Sequence, residues 1–192
     1  DVVRNRVGQF CFCRDGTIER TFEHQIWISA NTDALTGLYN RRFFYEYMNE
    51  NRKENQLSLL YVDLDDFKKV NDAHGHHIGD GALELVARLM REAFPGDFIV
   101  RLGGDEFLIC LVGERSLAFL EEKANRLLQS LLEAFQVSDY LRVMSASIGI
   151  ASSADPGTKL DDLVRQSDIA MYAAKQSGKS RCCVYSSGLI KK

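Results

Sequence analysis

Arg101-Leu102-Gly103-Gly104-Asp105-Glu106-Phe107 decides how the rest of the chain is read. Phe98-Ile99-Val100 precedes the stretch and Phe107-Leu108-Ile109-Cys110-Leu111-Val112 ends it, so two apolar runs flank a glycine pair. Apolar run, Gly-Gly turn, apolar run predicts a β-hairpin. Paired glycines let the backbone take positive φ and approach a ligand closely. Asp105 and Glu106 then stand at one end of a buried sheet, where carboxylates suit a hard cation and a glycine turn leaves room for phosphate. Alone, the acid pair reads equally well as a solvated turn. A second acidic strand end, Asp63 to Asp66, tips the reading toward a cation site.

The chain has 192 residues, 45% hydrophobic and 27% charged, which suits one ordinary domain with an appendage. A formal net charge of -3 argues against non-specific nucleic-acid binding. No apolar stretch reaches membrane-spanning length. The five cysteines, Cys11, Cys13, Cys110, Cys182 and Cys183, match no disulfide framework, and the last three are expected as reduced core residues of a cytoplasmic domain. Cys11-x-Cys13 lacks a second ligand pair for zinc.

Residues 1–30 are expected to be an N-terminal extension, the end of an upstream sensor or linker, with a hairpin between Val7 and Ile28 turning at Asp15-Gly16. Asp33 or Thr32 caps a short turn that Gly37 ends, and Asn40 caps a helix over 41–51. Leu57 to Val62 is a nearly continuous apolar run, the mark of a central strand covered on both faces. It ends in Asp63-Leu64-Asp65-Asp66, where open α/β sheets place their ligands. Asp63 and Asp105 can converge there on one Mg²⁺; the other reading is a polar strand-to-helix loop. His74-Gly75-His76-His77 reads as a polar loop with one structural histidine rather than a zinc site. Gly79-Asp80 is expected to open a helix to Ala93, with Asp80 either a cap or an acceptor for the N1-H and amine of a guanine. Ser116 caps a helix to Phe135, Leu141 to Ala151 is a strand, Pro156-Gly157 turns, and Thr158 caps a further helix through Ala174. Lys175 and Lys179 sit at that helix end, where they either favour its dipole or clamp a triphosphate. Arg181 to Tyr185 is a last strand, and the tail from Ser186 is expected to lack structure. The fold expected is α+β: a central, mostly antiparallel sheet of about five strands with helices on both faces. No Gly-x4-Gly-Lys-Ser/Thr loop exists, which argues against a P-loop nucleotide site.

Six blocks in order carry a resemblance. They are Thr32-Asp33-x-Leu35-Thr36-Gly37-Leu38-x-Asn40-Arg41-Arg42; Asp63-x-Asp65-x-Phe67-Lys68-x-x-Asn71-Asp72; Gly75-His76-x-x-Gly79-Asp80; Arg101-x-Gly103-Gly104-Asp105-Glu106-Phe107; Ser147-Ile148-Gly149; and Asp168-x-Ala170-x-Tyr172-x-Ala174-Lys175-x-x-Gly178-Lys179. Residues 31–187 resemble a GGDEF domain, the catalytic module of diguanylate cyclases, leaving 188–192 as a tail. The resemblance implies a nucleotidyl cyclase-like fold and a Mg²⁺ (or Mn²⁺) dependent reaction, in which two GTP become cyclic di-GMP and two pyrophosphates between half-sites of a homodimer. It implies that Asp63, the Leu64 carbonyl and Asp105 ligate metal. Glu106 would hold a second metal or assist deprotonation of the attacking hydroxyl. Asn71 and Asp80 would read guanine. Phe67 and Lys68 would seat the phosphates, Gly103 and Gly104 leave space for the α-phosphate, and Lys175 and Lys179 counter the triphosphate. Asp33 and Arg101 would form a structural pair. An upstream sensory domain, in a cytoplasmic or membrane-anchored longer protein, would control dimerisation. The rival reading is a catalytically silent GTP-binding module that regulates an attached phosphodiesterase or effector.

Two departures stand out. The family's product-inhibition site is Arg-x-x-Asp, with five residues between its aspartate and Gly103; here that stretch is Phe94-Pro95-Gly96-Asp97, so Asp97 remains and Phe94 replaces the arginine. Asp66 adds an acid where many relatives carry an aromatic residue or histidine.

Overall fold

The computed structural model describes residues 24–51, 56–153 and 157–190. Six strands form one sheet in the order β1-β3-β4-β2-β5-β6. They are β1 (Tyr39–Asn40), β2 (Leu57–Asp65), β3 (Phe98–Gly103), β4 (Glu106–Val112), β5 (Ser145–Ser152) and β6 (Arg181–Val184). The four central strands pair antiparallel, and β1 and β6 add in parallel at the edges. The helices are α1 (24–31), α2 (Arg41–Asn51), α3 (Phe67–His74), α4 (His76–Ala93), α5 (Leu117–Val137) and α6 (Leu160–Gln176).

The sheet is centred on β2 because every one of its nine residues is buried. Alternation along a strand divides those side chains between two faces. Leu60, Val62 and Leu64 pack against α3, α4 and α5, through Val70, Val86, Met90, Leu127 and Phe135. Leu57, Leu59 and Tyr61 face α2 and α6, against Phe44, Met48, Leu163 and Met171. Asp63 and Asp65 share the second face by the same alternation.

The Gly-Gly hairpin is present. β3 and β4 join through Gly104-Asp105, with Gly103 at φ 148° and Gly104 at φ 56°, and with a register shift between Arg101 and Gly103. Asn40 caps α2 by accepting from the Phe43 amide at 2.9 Å, and Ser116 caps α5 by accepting from Phe119 at 3.2 Å. The sixth strand, β1, is only two residues long, too short for any hydrophobic period to reveal.

Several boundaries differ from expectation. Residues 24–31 are helical rather than the second arm of a hairpin: side chains that look strand-like in series, Ile26, Trp27 and Ile28, are 41–66% exposed and give no sheet face to bury. The rest of that expected hairpin, with Cys11 and Cys13, lies outside the described residues, as does Pro156. α4 starts at His76, not Gly79. Gly79 lies inside the helix because α3 crosses it there: a Cβ on Gly79 would stand 1.9 Å from Asn71 Oδ1. β5 begins at Ser145, after turns at 141–143, and α6 begins at Leu160 with Lys159, not Thr158, at the cap position. Ser187–Ile190 form a 3₁₀ turn where no structure was expected. Gly149 does not interrupt β5. It lets α6 lie on the strand, since a Cβ there would meet the Ser167 carbonyl oxygen at 1.9 Å and the Met171 nitrogen at 2.1 Å. Cys110 is buried, while Cys182 and Cys183 are half-buried in β6.

Candidate active site at the β2–β4 end of the sheet

Asp63 and Glu106 stand directly opposite each other in the β2–β4 register, and Ser147 flanks Asp63 on β5. Leu64 donates its amide to the Asp105 carbonyl at 3.2 Å, which ties the hairpin turn to the end of β2. Arg101 braces the turn from outside. Its Nε and Nη2 donate to the Gly104 carbonyl at 3.1 and 2.8 Å, and its Nη1 donates to Asp33 Oδ1 at 3.0 Å. The expected Asp33–Arg101 pair is therefore present. Burial raises the Asp33 carboxyl, but hydrogen bonds from the Thr36 hydroxyl and amide and from Arg101 outweigh it and hold it below the ordinary value.

α6 lies over the same face and brings Lys175 Nζ to 2.5 Å from Asp63 Oδ1. Burial pushes the Asp63 carboxyl up to about 6; Lys175 pulls it down, and Asp105 and Glu106 push it up further. A buried acid crowded by two others is stabilised in its charged form by added positive charge. No three His, Cys, Asp or Glu side chains among the described residues group closely enough to hold an ion by themselves. Mg²⁺ commonly takes one or two carboxylates and completes its shell with water and substrate phosphates. Asp63, the Leu64 carbonyl and the hairpin acids are oxygen donors of the chemical kind that such an ion takes.

The other expected residues fall around this point. Asn71 is on α3 with a buried Oδ1 that has no hydrogen-bond partner among the described residues, and Asp80 is exposed on α4. The Phe67 side chain is packed into the core, so what this position offers a phosphate is the backbone at the start of α3. Lys68 is exposed. Lys179 Nζ donates to both oxygens of Asp66 at 3.0 Å. Phe94 is fully buried, with Lys123 Nζ 4.8 Å from its ring centroid, and burial raises the Asp97 carboxyl against the pull of Arg115 and Lys123. His74 stacks edge-on with Tyr140 at 5.1 Å, as a structural histidine does.

Three contributors were given no role from sequence, although Asp65 and Ser147 fall within the quoted blocks. Tyr61 lies beside Glu106, and burial, then the negative charge of Glu106, raises its phenol well above the usual value. Asp65 is 1% exposed and fully engaged: it accepts from Ser145 Oγ at 2.7 Å, from Ser147 Oγ at 2.9 Å and from the Ser180 amide at 3.2 Å. Ser147 is the third, joining the strand beside Asp63 to that network. Only the alternation of β2 hinted at Tyr61, since it sets Tyr61, Asp63 and Asp65 on one face.

A family profile described as "Diguanylate cyclase, GGDEF domain" matches residues 30–181. The chain belongs to the GGDEF domain family. It is 37% identical over 186 residues to the cyclic di-GMP phosphodiesterase PdeR of Escherichia coli (strain K12), covering 95% of this chain and 28% of PdeR. It is 32% identical over 170 residues to a diguanylate cyclase of Vibrio cholerae serotype O1, covering 84% of this chain and 51% of that one. Among solved structures it resembles the coiled coil and GGDEF domain of DgcB from Caulobacter crescentus in complex with c-di-GMP. That match has a TM-score of 0.80 and 26% identity, and covers 96% of this chain and 100% of the other. The GGDEF domain thus spans between about a quarter and a half of these two curated relatives.

Proposed function

We propose that this GGDEF domain is a diguanylate cyclase that condenses two GTP into cyclic di-GMP and two pyrophosphates. The carrying observation is the Asp63–Glu106 register, with Asp105 tied to Leu64 beside it and Lys175 laid against Asp63. In each bond-forming step the 3′-hydroxyl oxygen of one GTP bonds to the α-phosphorus of the other, the bond to pyrophosphate breaks, and the hydroxyl proton leaves. Asp63, the Leu64 carbonyl, Asp105 and Glu106 would hold Mg²⁺ (or Mn²⁺), which supplies charge neutralisation at the phosphates. Glu106, beside Tyr61, stands ready either as that ligand or as the acceptor of the hydroxyl proton. Asn71 offers its side-chain amide to the guanine, with Asp80 selecting N1-H and the amine. Gly103 and Gly104, open around their Cα atoms, leave space for the α-phosphate, while Lys68, Lys175, Lys179 and the α3 backbone at Phe67 hold the triphosphate. Each domain supplies half of the reacting pair, so a second copy is required. Residues 31–187 form the catalytic unit, with 1–30 leading in from an upstream sensory region and 188–192 as a tail; the whole works in the cytoplasm. No helix among the described residues is long and apolar enough to cross a membrane.

The similarity to PdeR, and to the cyclic di-GMP phosphodiesterase PdeB of Shewanella oneidensis at 33% identity, favours a second reading: a silent GTP-binding module that regulates an attached phosphodiesterase. Product formation from GTP and Mg²⁺, measured across protein concentrations, separates the two. The cyclase makes cyclic di-GMP at a rate per molecule that rises with concentration, and Asp105→Ala abolishes it. GTP binding without product, including in a forced-dimer fusion, selects the silent module.

A further inference from the structure

The turn between β2 and α3 carries an acid in an unusual backbone position. Asp66 has φ 60° and ψ 15°, a left-handed conformation that aspartate and asparagine adopt more readily than other residues apart from glycine. From there its carboxylate reaches the start of β6, where Lys179 Nζ donates to both of its oxygens at 3.0 Å. Lys69, one turn into α3, stands 2.8 Å from Oδ1. Lys179 and Ser180 are themselves at φ 60° and 50°, so the ion pair joins two tight turns 113 residues apart in sequence. An ammonium has three N–H donors. Two of those on Lys179 point at Asp66, and its charge is matched by that of the acid.

We propose that Asp66 sets the affinity of the site for a nucleoside triphosphate by competing with the phosphates for Lys179. The proposal rests on the GTP reading above. Its basis is charge: Asp63 faces Lys175, and Asp66 faces Lys179 and Lys69, so part of the positive charge a polyanion would meet is already taken up by carboxylates. An uncharged residue at 66 leaves Lys179 positive. The Lys179 and Asp66 side chains are 43% and 21% exposed, so the pair is partly solvated, modest in strength and open to displacement by phosphate. Lys69 stays with Asp66 after the exchange, so the released carboxylate keeps a partner.

The test is calorimetric binding of GTP and of GMP, with Mg²⁺ at constant ionic strength, to the whole chain. Wild type is compared with Asp66→Asn, Lys179→Gln and the double variant. Asparagine tolerates φ 60°, and Asp66→Gly serves if Asp66→Asn fails to fold. Asp66→Asn is expected to tighten GTP about two- to fivefold, the strength of an exposed ion pair. GMP affinity should not change, and in the Lys179→Gln background the gain should vanish. GTP affinity that is unchanged or weaker in Asp66→Asn, or a gain that survives without Lys179, overturns the proposal while leaving the GTP reading intact. No GTP binding by wild type or any variant overturns both.

Discussion

Asp63 carries the sharpest conflict in the molecule. It is 7% exposed, and the shift of its carboxyl to about 6 means that its charge is opposed by the fold despite Lys175. A residue kept charged against the preference of its surroundings is typical of a site built for a cation. Asp63→Asn is therefore expected to raise stability at neutral pH without Mg²⁺ by about 1–3 kcal/mol, read by urea denaturation. The same variant should lose the Mg²⁺-dependent part of GTP binding, whereas a purely structural Asp63 would give neither change. Asp33 works in the opposite sense. Its folded carboxyl is held below the ordinary value, so the unfolded chain takes up its proton first as pH falls. The stability it adds is full at pH above the unfolded value near 4 and is lost as pH drops through the lower folded value. Asp33→Asn should flatten that acid limb of the stability curve; an unchanged limb would assign the loss to other carboxylates.

At the scale of elements, two glycines set where the site residues stand. α6 touches β5 backbone to backbone at Gly149, which brings Lys175 over Asp63, and α4 crosses α3 at Gly79 against Asn71. Gly149→Ala forces α6 off the sheet. It is expected to cost about 2–3 kcal/mol in stability and to reduce GTP turnover by moving Lys175; wild-type stability and rate would show that the contact relaxes freely. Sequence made β2, the hairpin and the α5 stripe legible because their patterns are long and end in distinct turn residues. It misread the start of α4 because Gly79-Asp80 imitates a helix opening, while the real reason for the glycine, the Asn71 side chain, lies on another helix. It could not show the Asp66–Lys179 pair, since left-handed φ at Asp66, Lys179 and Ser180 has no glycine to announce it. That the acids at the ends of β2 and β4 come together was legible, but Tyr61 and the Ser145 and Ser147 bonds to Asp65 were not, because in sequence they are ordinary strand residues.

For the whole molecule, the question is how output is limited. In the family pattern an arginine grips product; here Phe94, the residue that follows α4, fills that place and is 1% exposed in the core between α4 and α5. Lys123, the nearest cation from α5, is turned inward, donating to the Ala93 carbonyl and lying over the Phe94 ring. Asp97 keeps its carboxyl partly desolvated, with Arg115 and Lys123 as the cations acting on it, and the arginine that would grip a product phosphate or guanine beside it is absent. Feedback through this surface is therefore expected to be weak. Added cyclic di-GMP at tens of micromolar, on the order of ten times a tight inhibitory constant, should leave the initial rate from GTP unchanged, and Asp97→Ala should behave as wild type. Inhibition at that concentration, removed by Asp97→Ala, would show that Asp97 binds product without its arginine. If this domain is the proposed cyclase and lacks that brake, its rate per molecule should depend steeply on protein concentration in wild type and in Asp97→Ala alike.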